Sequence, residues 1–126
     1  MDENQISNVI IGCAIEVHRE LGGPGLLESV YEECLVEEMT RHNLLAERQL
    51  RVPIVYKGKQ LGMPLRLDLK VNHLVLVDNK AVEVWNPVFE AQMLTYLRLT
   101  NLKLGLVLNF GERYIRDGIH RVVNGL

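Results

Sequence analysis

The sequence predicts an α/β fold, and three observations carry that reading. Apolar residues recur at helical spacing through the first third of the chain, and the period shortens to two from Glu47 onward. A capped helical stretch then separates two apolar runs of strand length. A strand, helix, strand succession of that size implies a right-handed crossover between parallel strands, so the expected sheet is mixed.

The elements follow in order. Ile6, Val9, Ile10, Cys13, Ala14, Val17 and Leu21 form one stripe, with Glu16, Arg19 and Glu20 opposite, which predicts a helix from about Asn4 to Leu21. The run Gly22-Gly-Pro-Gly25 stops it. A second helix is expected from about Leu26 to Arg41, with Leu27, Val30, Tyr31, Cys34, Leu35 and Met39 as its apolar stripe and Glu32, Glu33, Glu37 and Glu38 on the wet face. Gln49–Tyr56 reads as a strand in which Pro53 requires an edge position or a bulge. Lys57-Gly58-Lys59 makes a turn into Gln60 and Leu61. Strands at Arg66–Val71 and Leu74–Asn79 are joined through Asn72-His73 as a hairpin. Asn86 and Pro87 suit the cap and first residue of a helix reaching about Leu99. Lys103–Asn109 lacks alternation and reads as a strand buried on both faces, and Ile115–Val123 forms a short final element. Residues 1–126 are expected to make one domain, with the two N-terminal helices packed on one face of the sheet.

The composition is that of a globular chain, 48% hydrophobic and 24% charged. No apolar run approaches the roughly 20 residues of a membrane span, and the acidic start Met-Asp-Glu-Asn does not read as a signal peptide. Cys13 and Cys34 fall on apolar helix positions and read as buried, reduced thiols, so a cytoplasmic protein is expected. The net charge of -2 conceals an asymmetry: residues 1–47 carry ten acidic and two basic side chains, the remainder six and twelve. A basic half suits a polyanion, and oppositely charged halves can equally offset each other within the fold.

Some chemistries have no residues to support them. The histidines at 18, 42, 73 and 120 show no ligand spacing, and there is no Ser-His-Asp order, no glycine-rich phosphate loop after a strand and no Cys-x-x-Cys. Asp68 sits within Leu65-Arg-Leu-Asp-Leu-Lys-Val71, where Leu65, Leu67, Leu69 and Val71 share one face and Arg66, Asp68 and Lys70 the other, as a solvated strand face also would. Asp78 and Lys80 share a face with Leu74 and Leu76, so that face begins apolar and turns ionic. Such an aspartate is paired, metal-bound or at a cleft mouth. Glu28 suits the positive end of the second helix, and its neighbour Tyr31 brings it towards the buried side. Gln92 and Tyr96 are four apart and project together from the third helix.

Taken together, an acid, an acid-x-lysine on the next strand and a Gln-x-x-x-Tyr helix resemble the PD-(D/E)XK nuclease superfamily. Gly25-Leu-Leu-Glu28-Ser-Val-Tyr31 and Glu90-Ala-Gln92-Met-Leu-Thr-Tyr96 are similar to the motifs of its small bacterial GxxExxY proteins, and the likeness covers essentially the whole chain. The resemblance implies a restriction-endonuclease-like mixed sheet flanked by helices, and a Mg²⁺-dependent nuclease, with Mn²⁺ able to substitute. It implies Asp68, Asp78 and Glu28 as metal ligands and catalytic carboxylates, Lys80 as the catalytic lysine, and Gln92 and Tyr96 as substrate-binding or supporting residues. The implied partner is nucleic acid, DNA ahead of RNA. So small a domain offers little grip on a duplex, which leads to the expectation of a homodimer. Three positions depart from the pattern: Asp78 stands where relatives more often carry Glu, Asn79 where they carry an apolar residue, and Phe89 where a His is frequent. A domain of this fold that has lost the reaction and binds nucleic acid or protein is the alternative reading.

Overall fold

The computed structural model describes all residues, 1–126. Helix α1 spans Glu3–Leu21 and α2 spans Glu28–Arg41. Strands follow at Ala46–Val52 (β1), Val55–Tyr56 (β2), Lys59–Gln60 (β3), Leu65–Val71 (β4) and Val75–Lys80 (β5). Helix α3, Val88–Thr100, leads to β6, Leu104–Asn109, then a single 3₁₀ turn and β7, Ile119–Val123. Five strands form one sheet in the order β1-β4-β5-β6-β7, with β5 and β6 parallel and the other pairs antiparallel. The expected α/β class and the mixed sheet are therefore present. No helix is long and apolar enough to cross a membrane.

Local chemistry accounts for the boundaries. Asp2 caps α1 by accepting from the Gln5 amide at 2.8 Å while Gln5 Oε1 accepts from the Asp2 amide at 2.9 Å, a capping box that begins the helix a residue earlier than expected. Asn86 Oδ1 accepts from the Val88 amide at 3.0 Å and so caps α3. The expected strand Gln49–Tyr56 is broken at Pro53: β1 ends at Val52, on the edge of the sheet, and β2 pairs only with β3 in a separate ribbon. Proline has no amide to donate and disfavours a continuous ladder. The β4–β5 hairpin has a connection of three residues, Asn72–Leu74, with Asn72 and His73 both at positive φ. β5 accordingly begins at Val75, one residue later than expected.

The sheet is covered on both faces. Ile6, Ile10, Tyr31, Leu35 and Met39 of α1 and α2 pack on Leu69, Val77, Leu104, Leu106 and Leu108. Met93 and Leu97 of α3 cover Leu76 and Val107 on the other face. β6 lies between these layers with all six residues buried, as its unbroken apolar run requires. The apolar row of β4 divides: Leu69 and Val71 join the α1–α2 layer, whereas Leu65 and Leu67 join the α3 layer. The expected faces of α2 change as well. Glu32 is buried and Cys34 only half-buried, while Leu27, which precedes the first turn, and Val30 are exposed. Cys13 is buried, which with nearby Glu38 pushes its thiol up to about 11.

Tyr31 fixes how α2 enters the fold. Its buried ring stacks on Phe110 with centroids 4.7 Å apart, and its hydroxyl donates to the Gly23 carbonyl at 2.7 Å and accepts from the Leu26 amide at 3.2 Å. The loop it ties contains Gly25 at φ +114°, a conformation that residues with a Cβ rarely adopt. Tyr31→Phe should leave both backbone groups without this partner and lower stability by roughly 1–3 kcal/mol. Equilibrium denaturant unfolding checks this, and an unchanged midpoint would refute the anchoring role.

Candidate active site

The site grows from a fork in the sheet. β4 and β5 pair only through Leu69↔Val77, Lys70↔Leu76 and Val71↔Val75. β4 continues alongside β1 to Leu65, and β5 continues alongside β6 to Lys80. The strands therefore part at Asp68 and Asp78, the next residues in register. Asp68 Oδ2 accepts from the Asn79 amide at 3.1 Å, so a side chain takes the place of a strand carbonyl where the ladder opens. Freed from β5, the far end of β4 reaches the α3 layer, which accounts for the divided leucine row.

Arg66, Asp68, Asp78, Lys80, Gln92 and Tyr96 line one cleft of about 130 Å³ at this fork. The two strands, and the helix that returns over them, thus bring together five of the six residues singled out in the sequence. The sixth, Glu28, is the first residue of α2 and stands exposed at the mouth. Nowhere do three His, Cys, Asp or Glu side chains converge at metal-ligating distances, so Glu28 does not complete a three-carboxylate cage. Partial burial raises its carboxyl pKa, Lys80 lowers it, and Asp68 and Glu32 raise it. A roomier groove of about 800 Å³ between α1 and α2 is lined by five glutamates, Glu16, Glu20, Glu33, Glu37 and Glu38, and would repel a polyanion.

The electrostatics of the cleft are tense. Burial, a hydrogen bond with Asp68 and the charge of Asp68 lift Asp78 to about 7, against the opposing pull of Lys80. Lys80 Nζ lies 3.3 Å from Asp78 Oδ2 and 4.6 Å from the centroid of the Phe89 ring. Phe89, a departure from the expected pattern, thus gives the lysine an aromatic face. Trp85 packs edge-on to Phe89 at 5.0 Å, stacks on His120 at 3.8 Å and donates to Glu90 Oε1 at 3.0 Å. Tyr96 stands close enough for burial and Asp78 to raise its hydroxyl pKa.

Some supporting residues are not legible in the sequence. Asn109 Oδ1 accepts from the amides of Val82 and Gly111, both at 3.0 Å, and its Nδ2 donates to the Val82 carbonyl at 3.1 Å. This locks the segment leaving Lys80. A Cβ on Gly111 would meet the Val82 carbonyl oxygen at 2.4 Å, so only glycine allows that approach. A buried asparagine closing an apolar run was the available signal. Gln49 and Glu32 were masked by their resemblance to surface polar residues.

A mixed five-stranded sheet, helices on both faces and an acid-x-lysine strand at a cleft define a restriction-endonuclease-like α/β domain. The model of the PD-(D/E)XK nuclease superfamily matches residues 4–122, and the chain belongs to that superfamily. No match was found among curated proteins or among solved structures.

Two stability effects follow from these groups. The folded chain keeps the Asp78 proton up to about pH 7, whereas an unfolded aspartate releases it near its ordinary value of 3.8. Between those values the folded state binds more protons, so Asp78 costs stability progressively as pH rises from about 4 to 7, and the cost is complete above. In EDTA, Asp78→Asn should therefore flatten this part of the stability profile and raise stability at pH 8 by roughly 1–3 kcal/mol. Parallel profiles for the two proteins would contradict the assignment. Asn79 is 1% exposed, and neither its Oδ1 nor its Nδ2 has a hydrogen-bond partner. Asn79→Leu, similar in shape, should stabilise the chain by roughly 1–2 kcal/mol in thermal or denaturant unfolding; a loss of stability would mean that the amide is satisfied in solution.

Proposed function

We propose that the chain is a divalent-metal-dependent nuclease hydrolysing phosphodiester bonds, in DNA ahead of RNA, and that it is a GxxExxY protein within its superfamily. One observation carries the reading: acids from two parting strands and the lysine following the second meet in one cleft, with Lys80 Nζ 3.3 Å from Asp78 Oδ2. The donor set fits a hard cation. Mg²⁺ is held by one or two carboxylates and keeps several waters, and in this cleft it would offset the charge of Asp68, which together with burial makes Asp78 retain a proton.

Asp68 and Asp78 would hold Mg²⁺ or Mn²⁺, and Glu28 would join them only once its side chain swings in from the exposed start of α2. When bound, the ion supplies an acidified water and neutralises charge on the phosphodiester. Lys80, steadied by Asp78 and Phe89, orients the attacking water and donates to a phosphate oxygen as negative charge grows there. Tyr96 and Gln92 donate to the substrate backbone from α3. Asp78 would serve as a ligand only when deprotonated, so proton and metal compete for it, and the Mg²⁺ concentration needed for activity should fall as pH rises towards about 7. A homodimer in the cytoplasm, extending the surface that meets a duplex, belongs to the same reading.

The test is incubation with single- and double-stranded DNA and RNA in Mg²⁺, Mn²⁺ or EDTA. Cleavage should need the metal and fall by at least about 100-fold in Asp68→Ala and Lys80→Ala. Metal-dependent cleavage that survives both substitutions would sink the site assignment. A second reading, a binding module that has lost the reaction, is favoured by the partnerless Asn79 amide beside Asp78. Absence of cleavage on every substrate, with nucleic-acid or protein binding retained, would select it.

A further inference from the structure

Arg51 of β1 and Arg66 of β4 face each other in the antiparallel register, and both are exposed. Like charges directly opposite on paired strands repel. Neither guanidinium takes part in any of the ion pairs of the chain, in which Arg48, two residues before the position opposite Leu67, is joined to Glu32. The repulsion between Arg51 and Arg66 is therefore left uncompensated by a carboxylate.

Arg66 is nevertheless held in place. Its Nε donates to Gln49 Oε1 at 2.8 Å, and Gln49 Nε2 donates to Glu32 Oε1 and Oε2 at 3.0 and 3.3 Å. Glu32 is 7% exposed and also accepts from Arg48 at 3.1 Å, so the chain of contacts is rooted in the interior. An amide oxygen orients a guanidinium without neutralising it, which a carboxylate in the same place would do. The terminal nitrogens of Arg66 keep their donors and the full positive charge. Gln49 achieves this from a left-handed backbone, φ +51°, in the middle of a strand and in the register position facing Asp68. Such a conformation is unfavourable for a residue with a Cβ and persists where surrounding contacts enforce it.

The position of the pair relates it to the site. Arg66 lines the cleft with Asp68, Asp78 and Lys80 and precedes Asp68 by two residues on one strand, about 7 Å along it. We propose that Arg66 and Arg51 form a clamp for a backbone phosphate adjoining the one at the carboxylates, and that Gln49 is its positioning residue. Arg66 presents a planar fork of donors to the phosphate oxygens and Arg51 adds the second positive charge. The substrate strand then leaves the fork along β4 and β1. This inference rests on the nuclease reading above.

The experiment measures binding of a fluorescein-labelled single-stranded DNA oligonucleotide by anisotropy, in EDTA, across a salt series. Arg66→Ala should weaken binding about 5- to 10-fold and reduce the slope of log affinity against log salt by about one contact. Arg51→Ala should act in the same direction. Arg66→Lys keeps the charge and should retain the slope while losing affinity. Gln49→Leu removes the positioning contact and should weaken binding with both arginines still present. Thermal unfolding reports that each variant is folded. Affinity and slope unchanged in Arg66→Ala and Arg51→Ala, with wild-type binding intact, would overturn the clamp and leave the nuclease reading standing. A folded wild-type chain that neither binds the oligonucleotide nor cleaves any substrate would overturn both.

Discussion

The parting of β4 from β5 is the constraint on which the rest of the site depends. Up to Leu69↔Val77 the two strands exchange backbone hydrogen bonds, and beyond it they have different partners. Asp68 stands at the divide and accepts from the Asn79 amide, so the opening does not leave that donor without a partner. Had the ladder continued, Asp68 and Asp78 would be like charges directly opposite on a closed pair, which is unfavourable and encloses nothing. Opening the strands turns the same two carboxylates into one wall of a cleft. The parallel β5–β6 pairing then requires a crossover, and the crossover helix lays Gln92 and Tyr96 over that wall.

The surrounding fold holds this arrangement against its own electrostatics. Asp78 retains its proton to about pH 7, Asn79 keeps a partnerless side-chain amide in the interior, and Gln49 adopts a left-handed backbone inside a strand. These unfavourable features gather at the same end of the sheet. The centre of the layer formed by α1, α2 and the other sheet face is by contrast apolar and closely packed around Tyr31 and Phe110. Local rules broken in one place and kept elsewhere are the pattern expected of a functional site built on a stable scaffold. Asn109 and Tyr31 connect the two regions, one by fixing the chain as it leaves Lys80 and the other by fixing the start of α2 before Glu28.

The charge asymmetry of the chain becomes a spatial one. Five glutamates of α1 and α2 border one groove, whereas Arg51 and Arg66 flank the cleft on the β1–β4 side. Of the lysines and arginines beyond residue 47, only Arg48 pairs with a carboxylate from the earlier part, Glu32. Arg48 also lines the groove of the five glutamates, and apart from it the lysines and arginines of the later part are left free of the acids of the earlier one, so Arg51 and Arg66 keep their charge for a polyanion.

Much of this was legible in the residues. Helical and two-residue periods mark α1, α2 and the β4–β5 hairpin, because burying one face imposes a period whatever the later packing, whereas cap residues mark α3 and an unbroken apolar run marks β6. Asp78 and Lys80 stood out because ionic side chains ended an otherwise apolar strand, and Gly25, Glu28 and Tyr31 because their spacing resembled a known motif. Other features depend on partners distant in sequence. Glu32 looked like one of four solvated glutamates, and only the approach of Arg48 and Gln49 makes its burial tolerable. Phe89 looked like the loss of a site residue until its ring was found beside Lys80. The sequence by itself determined the fold class and the element order, since those follow from local period and residue type, and its resemblance to a known family pointed to Asp68, Asp78 and Lys80. The tertiary structure alone decided that β4 and β5 separate at the two aspartates, because strand pairing is a contest between neighbours that no single strand encodes.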